Sequence, residues 1–454
     1  MQLRRINHSF SRHPSLAVIY SFALADLVGA LLLMLPVSHA NSLSFIDALF
    51  TSTSAVCVTG LTVVNTGVEF TRAGQTVILL LIQLGGLGVM TFSMLFAMGL
   101  GRSLSFGSRL SLQENFLPHL VAEPGRLIAT IFVFTVLSEG LIAFALFFLF
   151  LIHGIHLEDA LFHAIFHAVS AFCNAGFSTF PNGLDRFMIS TSVLSLLMVG
   201  ILLGGMGFPI VYELWLHFRE RQRRFSLHFK ITLLVHLTLI AAGTIAFLWF
   251  ERNGVMANLS YSNRLLEALF HSISARTAGF NTFEISKFSE HSIYVFLILM
   301  MIGACPGSTG GGIKTTTFAV LLHTAISRLH GFSQTIAFKR TIPAEQVNKA
   351  ITLVFISIIT VMLFHFLLTL SEPNTPFYLA RHQFLASLFE VISALGTVGL
   401  TTGLTPHLSF WGKLCIILAM FVGRVGLLSL LSFLSEAGRE PRPYRYVREK
   451  IMVG

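Results

Sequence analysis

Four stretches of the chain place the same residue types at nearly the same spacing. Residues 47–61 read DALFTSTSAVCVTGL, 163–177 read HAIFHAVSAFCNAGF, 267–280 read EALFHSISARTAGF and 386–400 read ASLFEVISALGTVGL. Each holds a Phe (Phe50, Phe166, Phe270, Phe389), a Ser-Ala pair and then a Gly (Gly60, Gly176, Gly279, Gly399). The Phe-to-Gly spacing is ten in the first, second and fourth stretches and nine in the third. Glycine permits backbone angles that other residues avoid, so the carbonyls beside it can turn toward a common axis. Four such turns around one axis supply oxygens in place of a small cation's hydration shell. The candidate ligands are the backbones of Val58, Thr59 and Gly60, of Asn174, Ala175 and Gly176, of Thr277, Ala278 and Gly279, and of Thr397, Val398 and Gly399.

These turns need scaffolding, and the composition says what kind. The 454 residues are 54% hydrophobic and 11% charged, with a mean hydropathy of +0.77, which marks a polytopic membrane protein. Apolar runs of spanning length fall at 15–36, 75–100, 127–152, 187–216, 231–250, 291–326, 350–370 and 411–436, one on each side of every short stretch. The short stretches, helical in pattern near 46–55, 162–171, 266–275 and 385–394, cannot cross a bilayer and read as re-entrant helices. Their C-terminal ends carry partial negative charge, which favours a cation where the four converge. The predicted fold is therefore an all-α polytopic membrane protein. It has four repeats, each an outer span, a pore helix and a second span, giving eight transmembrane and four re-entrant helices around a single pseudo-fourfold pore. The repeats cover 1–101, 127–217, 231–326 and 350–437, with a tail at 438–454. Thr397-Val398-Gly399 matches the first half of the potassium-channel TVGYG, but Leu400 follows and no second Gly completes it. Helix-packing glycines explain small residues inside spans; they poorly explain four glycines in register in hairpins.

The net charge of +9 raises nucleic acid as a partner, and its distribution argues against one. Lys and Arg cluster in alternate loops, around Arg4, Arg5 and Arg12, Arg102 to 126, Arg219 to 230, Arg328 to 349 and Arg439 to 450. The positive-inside rule then puts both termini in the cytoplasm and all four short stretches on the outer side. The outer loops carry fewer basic residues, Arg72, Arg186 and Arg276 among them, and many acids, including Asp47, Asp185, Glu251, Glu267, Glu372 and Glu390. An acidic outer mouth concentrates cations. Residues 1–40 have the outline of a signal peptide, but the apolar run is long and serves as the first span. Cys57, Cys173, Cys305 and Cys415 show neither metal spacing nor a disulfide framework; Cys57 and Cys173 are expected as small buried residues behind the turns.

The second span of each repeat contains a glycine cluster: Gly85, Gly86 and Gly88; Gly204, Gly205 and Gly207; Gly310, Gly311 and Gly312; Gly423 and Gly426. In the third repeat, 303–314 read GACPGSTGGGIK, which cannot stay a regular helix. Unwound backbone at membrane depth is tolerated only inside protein or against a water-filled cavity. Residues 305–314, with Gly307, Ser308, Thr309, Gly310, Gly311, Gly312 and Lys314, are therefore expected below the turns as a mobile plug. Arg424 stands where the fourth cluster has no glycine. A guanidinium in a span is costly and usually functional; here it can donate to carbonyls freed in the plug or repel cations until the plug moves. Lys314 is nearer the inner side, where snorkelling is an equal reading. Asp26 and Glu139 in first spans are expected to pair with a neighbour, and His163, His167 and His271 to be packed or hydrogen-bonded.

With these residues in hand, the chain resembles the Trk/Ktr/HKT superfamily of potassium uptake proteins, over nearly its whole length from about residue 15. The specific pieces are DALFTSTSAVCVTGL, SARTAGFNT (274–282), GSTGGGIKTTTF (307–318) and GTVGLTTGLTP (396–406). The resemblance implies a single-glycine filter, potassium translocation gated by the plug, and an Arg at the position of Arg424. It further implies sodium as a coupling or activating ion, a homodimer with one pore per chain, and cytoplasmic regulatory subunits of the KtrA/TrkA kind. No cofactor is expected in this chain; ATP, ADP or NAD would act only through such a partner. The basic stretches 217–230 and 438–450 offer a docking face for it or for anionic lipid, and 452–454 a dimer contact.

Two other classes compete. A membrane enzyme would need a triad, a metal spacing or a P-loop. Residues 310–315, GGGIKT, lack the G-x-x-x-x-G-K-[ST] spacing, so no enzymatic activity is expected. An alternating-access transporter usually shows inverted repeats, whereas these four run in one orientation. Within the transport reading, one glycine per repeat leaves open a less selective monovalent-cation path.

Overall fold

The computed structural model describes residues 14–88, 124–181, 183–220, 225–372 and 381–426. A long helix, a short buried helix and a second helix follow one another four times. These are α1 (Pro14–Leu33), α2 (Phe45–Val56) and α3 (Arg72–Gly86), then α4 (Pro124–Ile152), α5 (Leu157–Cys173) and α6 (Thr191–Gly205). After α7 (Phe208–Glu220) come α8 (Leu227–Phe250), α9 (Tyr261–Ser274) and α10 (Glu290–Met301). After α11 (Thr315–Leu329) come α12 (Ala344–Ser371), α13 (Arg381–Leu395) and α14 (Phe410–Val425). A two-stranded hairpin, β1 (Thr335–Ala337) and β2 (Arg340–Ile342), pairs Thr335 with Ile342 between α11 and α12, a small exception to the all-α expectation.

Local chemistry sets the helix starts. Thr71, Ser289 and Ser409 accept from the amides of Gly74, Ser292 and Gly412 at the heads of α3, α10 and α14, satisfying donors that a helix N-terminus leaves free. Glu251 binds the amide and hydroxyl of Ser289 at 2.9 and 2.7 Å, and Glu372 binds the amide of Ser409 at 3.0 Å. These carboxylates fasten the end of a first helix to the start of its second.

Apolar side chains pack at the boundaries between successive segments. Four clusters close a circle: the first segment against the second, the second against the third, the third against the fourth and the fourth against the first. The repeated phenylalanines are its wedges. Phe166, Phe270, Phe389 and Phe50 are each fully buried, each packed among residues of the preceding segment.

The second helices break where continuous spans were expected. Gly85, Gly204, Gly303 and Gly423 each lie thirteen residues past the first residue of their helix. Three residues later come Gly88, Gly207 and Gly426 with φ of 78°, 87° and 86°, and Pro306 in the third segment. A left-handed residue or a proline stops a helix. The axis of α6 and α7 turns by 93° at this point, so 187–216 is a bent pair and not one rod. In the third segment the helix stops at Met301, just before the run 303–314 expected to be non-helical and four residues before the expected plug at 305–314. The equivalent of the glycine clusters is therefore Gly303, and Gly310, Gly311 and Gly312 are additional. Among the described residues, Ala129–Ile152, Leu227–Phe250 and Ala344–Ser371 are long and apolar enough to cross a membrane, and the bent pair counts as a fourth. The expected tail, the dimer contact at 452–454, and parts of 75–100, 217–230 and 411–436 lie outside the described residues.

Candidate functional site

Each short helix runs into a turn with the same two backbone features. Val58, Asn174, Thr277 and Thr397 have φ of 54°, 60°, 73° and 49°, and two residues later Gly60, Gly176, Gly279 and Gly399 have φ of 95°, 68°, 76° and 94°. A left-handed non-glycine residue costs about 1–2 kcal/mol and persists only where its surroundings dictate it. The repeated serine does so. The Ser54, Ser170 and Ser393 carbonyls each accept from an amide five residues on, those of Thr59, Ala175 and Val398, at 2.8 Å, and the Ser274 carbonyl accepts from Ala278 at 2.9 Å. The hydroxyls of Ser54 and Ser393 accept from the amides of Gly60 and Gly399 at 3.1 Å. Those of Ser170 and Ser274 donate to the carbonyls of Phe177, at 2.8 Å, and Phe280.

In the second, third and fourth segments the residue after the phenylalanine secures the outgoing arm, whereas Thr51 donates to the Asp47 carbonyl of its own helix at 2.9 Å. His167 Nε2 lies 3.0 Å from Ser178 Oγ and His271 Nε2 lies 3.2 Å from Thr282 Oγ1. Glu390 accepts from Thr401 Oγ1 at 2.8 Å, from the Thr402 amide at 2.8 Å and from Thr405 Oγ1 at 2.5 Å.

The four turns meet. A Cβ on Gly60 would lie 2.4 Å from the Ala175 carbonyl oxygen, on Gly176 2.8 Å from that of Ala278, on Gly279 2.6 Å from that of Val398, and on Gly399 2.0 Å from that of Thr59. Each glycine thus faces the carbonyl preceding the next glycine, and the fourth turn returns to the first. No side chain fits at these four positions.

Residues 302–314 lie against one side of this ring. A Cβ on Gly310 would be 2.0 Å from Thr277 Oγ1, and one on Gly311 would be 2.3 Å from Thr397 Oγ1. The Asn174 side-chain amide is hydrogen-bonded to Thr309 Oγ1 at 2.9 Å. The same side of three ring turns therefore touches the unwound segment. Arg424 donates to the carbonyls of Thr309 and Gly85, the first of the two roles its position suggested. Lys314 Nζ donates to the Gly310 carbonyl at 2.6 Å, turned into its own loop. Ser308 donates to the Cys305 carbonyl at 2.6 Å, and Gly307 and Gly312, with φ of 70° and 71°, let the segment fold back on itself.

Other expectations fare unevenly. Cys57 and Cys173 are buried thiols. Glu139 accepts from Gln83 Nε2 at 3.2 Å, whereas Asp26 Oδ1 is buried with no partner among the described residues. His163 Nδ1 lies 2.6 Å from Thr179 Oγ1. The acidic outer mouth needs correction: Glu251, Glu267 and Glu390 are 0% exposed and serve as internal acceptors. Loop position in the sequence does not reveal that their hydrogen-bond partners enclose them. Asp47 and Asp159 are paired with Lys413, at 2.7 Å, and Arg72. Asp185 stays exposed, with its carboxyl raised above the ordinary range by partial burial and then by Glu284, against the lowering effect of Lys287. Sequence reasoning missed Arg276, counted among the outer-loop charges. It is 4% exposed and donates from Nη2 to the Gly303 carbonyl at 2.9 Å. Its signal was present: Arg276 occupies the place of Cys57, Cys173 and Gly396, three residues before the ring glycine.

Comparison with known proteins gives this arrangement a context. The model of the TrkH family, described as "Cation transport protein", matches residues 5–438. The "Ktr system potassium uptake protein B" of Bacillus subtilis is 39% identical over 97% of either chain. The "Potassium/sodium uptake protein NtpJ" of Enterococcus hirae is 37% identical, again over 97% of either chain. The crystal structure of "the Potassium Transporter TrkH from Vibrio parahaemolyticus" superposes with a TM-score of 0.69 at 20% identity, over 93% of this chain and 85% of that one; at that identity it speaks to the fold alone.

Proposed function

Because the chain belongs to the TrkH family of cation transport proteins, not a family of enzymes, we propose that it takes up potassium across the cytoplasmic membrane as the ion-translocating subunit of a Ktr-type system. The observation that carries this reading is the closed ring of four left-handed glycines, each backed by its neighbour's carbonyl. In this reading the segments 1–101, 127–217, 231–326 and 350–437 are four repeats around one pore. The backbones of the twelve turn residues form a single-glycine filter, and the ends of α2, α5, α9 and α13 aim their negative poles at it. Thr59, Thr277 and Thr397 add Oγ1 atoms that have no hydrogen-bond partner among the described residues.

Residues 302–314, bridged to the ring by Asn174 and to the first and fourth segments by Arg424, are the gate. Flux then requires this segment to leave the axis. Both termini are cytoplasmic by the distribution of Lys and Arg. The system name carried by the Bacillus subtilis relative supports partner subunits. In this reading they are cytoplasmic nucleotide-binding subunits on a homodimer of this chain, with sodium as the coupling or activating ion, as the family resemblance implies. The printed name of the Enterococcus relative favours a second reading, a path that also passes sodium.

The test is cation uptake by full-length protein, coexpressed with its neighbouring regulatory subunit, in a bacterial strain lacking its own potassium uptake systems. Wild type is expected to restore growth at low potassium, Gly399→Ser to weaken the preference for potassium over sodium, and deletion of 307–312 to raise flux. Equal potassium and sodium uptake by wild type selects the second reading. Absence of any monovalent-cation uptake by folded wild type overturns both.

A further inference from the structure

Among the described residues, Arg424 is one of two arginines that donate to the unwound segment. The other, Arg276, stems from the third ring turn itself, next to Thr277, whose φ is 73°. Its Nη2 donates to the carbonyl of Gly303 at 2.9 Å, two residues after α10 ends at Met301. Its Nη1 donates to the His236 carbonyl at 3.2 Å and lies 2.7 Å from His236 Nδ1. That short contact requires His236 to offer a lone pair at Nδ1 and so to carry its proton on Nε2. A buried guanidinium is costly unless its donors are matched; Nε has no partner among the described residues, and the acceptor of Nη2 belongs to the hinge of the segment proposed to move. The adjoining cavity, lined by Ile201, Leu202, Ile240 and Ala304, holds only about 10 Å³, room for roughly one water molecule. With the segment in place, the guanidinium has little room beyond its bonded position.

We propose that Arg276 is a positioning residue that latches the first turn of the 302–314 segment to the third ring turn. Arg424 holds the far part of the segment, at Thr309; Arg276 holds its beginning. Displacement of the segment strips Arg276 of its Gly303 acceptor, and a shift of the ring turn that carries Arg276 loosens the same bond. The latch thus joins the state of the ring to the position of the gate. This inference rests on the gate reading of 302–314.

The experiment is rubidium uptake into proteoliposomes containing the full chain without its regulatory partner, for wild type, Arg276→Met, Arg276→Gln, the 307–312 deletion and the deletion combined with Arg276→Met. Arg276→Met is expected to raise flux about tenfold, the scale of a lost charge-assisted hydrogen bond. Its potassium-over-sodium ratio should stay that of wild type, and it should add nothing in the deletion background. Unchanged flux in folded Arg276→Met overturns the latch, as does an equal increase with and without the deletion. An altered ion ratio at unchanged flux also overturns it, leaving Arg276 as a support of the ring alone. If Arg276→Met does not yield monodisperse protein, Arg276→Gln, too short to reach Gly303, carries the same test: unchanged flux overturns the proposal. A deletion that leaves flux at the wild-type level defeats the gate reading itself, whereas a deletion that raises flux beside an inert Arg276→Met defeats only the latch.

Discussion

The ring of four turns and the 302–314 segment touch each other but are held in different ways. In the ring, every turn is fixed by bonds from its own short helix: a serine carbonyl to an amide four or five residues on, a serine hydroxyl to the turn, and a phenylalanine wedged into the preceding segment. The same serine and phenylalanine positions are used four times, with the hydroxyl accepting in two turns and donating in the other two, and the fourth turn closes the circle on the first. The 302–314 segment occurs once. Its ties to the rest of the chain include Arg276 from the ring turn of its own segment, the side chains of Asn174 and Arg424 from two other segments, and backbone bonds such as that from the Cys305 amide to the Gly205 carbonyl at 3.2 Å. Local bonds repeated around an axis resist deformation together. A single segment held by distant side chains can be released by breaking a few of them.

Substitutions separate these two kinds of attachment. The largest effect is expected from Phe389→Ala or Phe270→Ala, which empties a fully buried wedge and should cost about 3–5 kcal/mol, read as a lowered unfolding midpoint in detergent. If either instead raised flux without loss of stability, the wedge would be part of the gate and the contrast drawn above would fail. Next come the ring glycines. Alanine forces an unfavourable φ at each and brings Cβ to 2.0 Å of a carbonyl at Gly399, 2.4 Å at Gly60, 2.6 Å at Gly279 and 2.8 Å at Gly176. Loss of potassium preference over sodium should follow that order; Gly176→Ala proving the most damaging would show that something other than the neighbouring carbonyl sets the requirement. The smallest effect concerns Asp185. Its raised carboxyl is protonated at a higher pH than an ordinary aspartate, so its cation-attracting charge fades early on acidification. Asp185→Asn should reduce uptake at low external potassium by no more than about twofold near pH 7.5, and by less near pH 5. A larger effect at the acidic pH would contradict this sign.

Much of this architecture was legible. The fourfold recurrence of Phe, Ser-Ala and Gly places the turns, and the run GACPGSTGGGIK announces a broken helix. Two kinds of residue were misread. Glu251, Glu267 and Glu390 look like solvated loop acids because a hydropathy profile locates a charge along the chain and says nothing of which hydroxyls will surround it. Arg276 was counted with them, although it interrupts a position otherwise filled by Cys57, Cys173 and Gly396. The glycine clusters were matched by their glycine content, which put Gly310, Gly311 and Gly312 where the helix start places Gly303.

The sequence by itself determined the class of protein, the four turns and the segment that cannot be helical. These depend on local propensity, on hydropathy and on the steric freedom of glycine, all of which are written in neighbouring residues. Only the tertiary structure decided that each glycine faces the next turn's carbonyl, that each phenylalanine wedges into the preceding segment, and that Arg276 and Arg424 reach the same unwound loop, one at its start and one at its middle. Those contacts join residues that are not neighbours in the chain, and the partners of the glycines and arginines are backbone carbonyls, which every residue carries and no sequence pattern can single out.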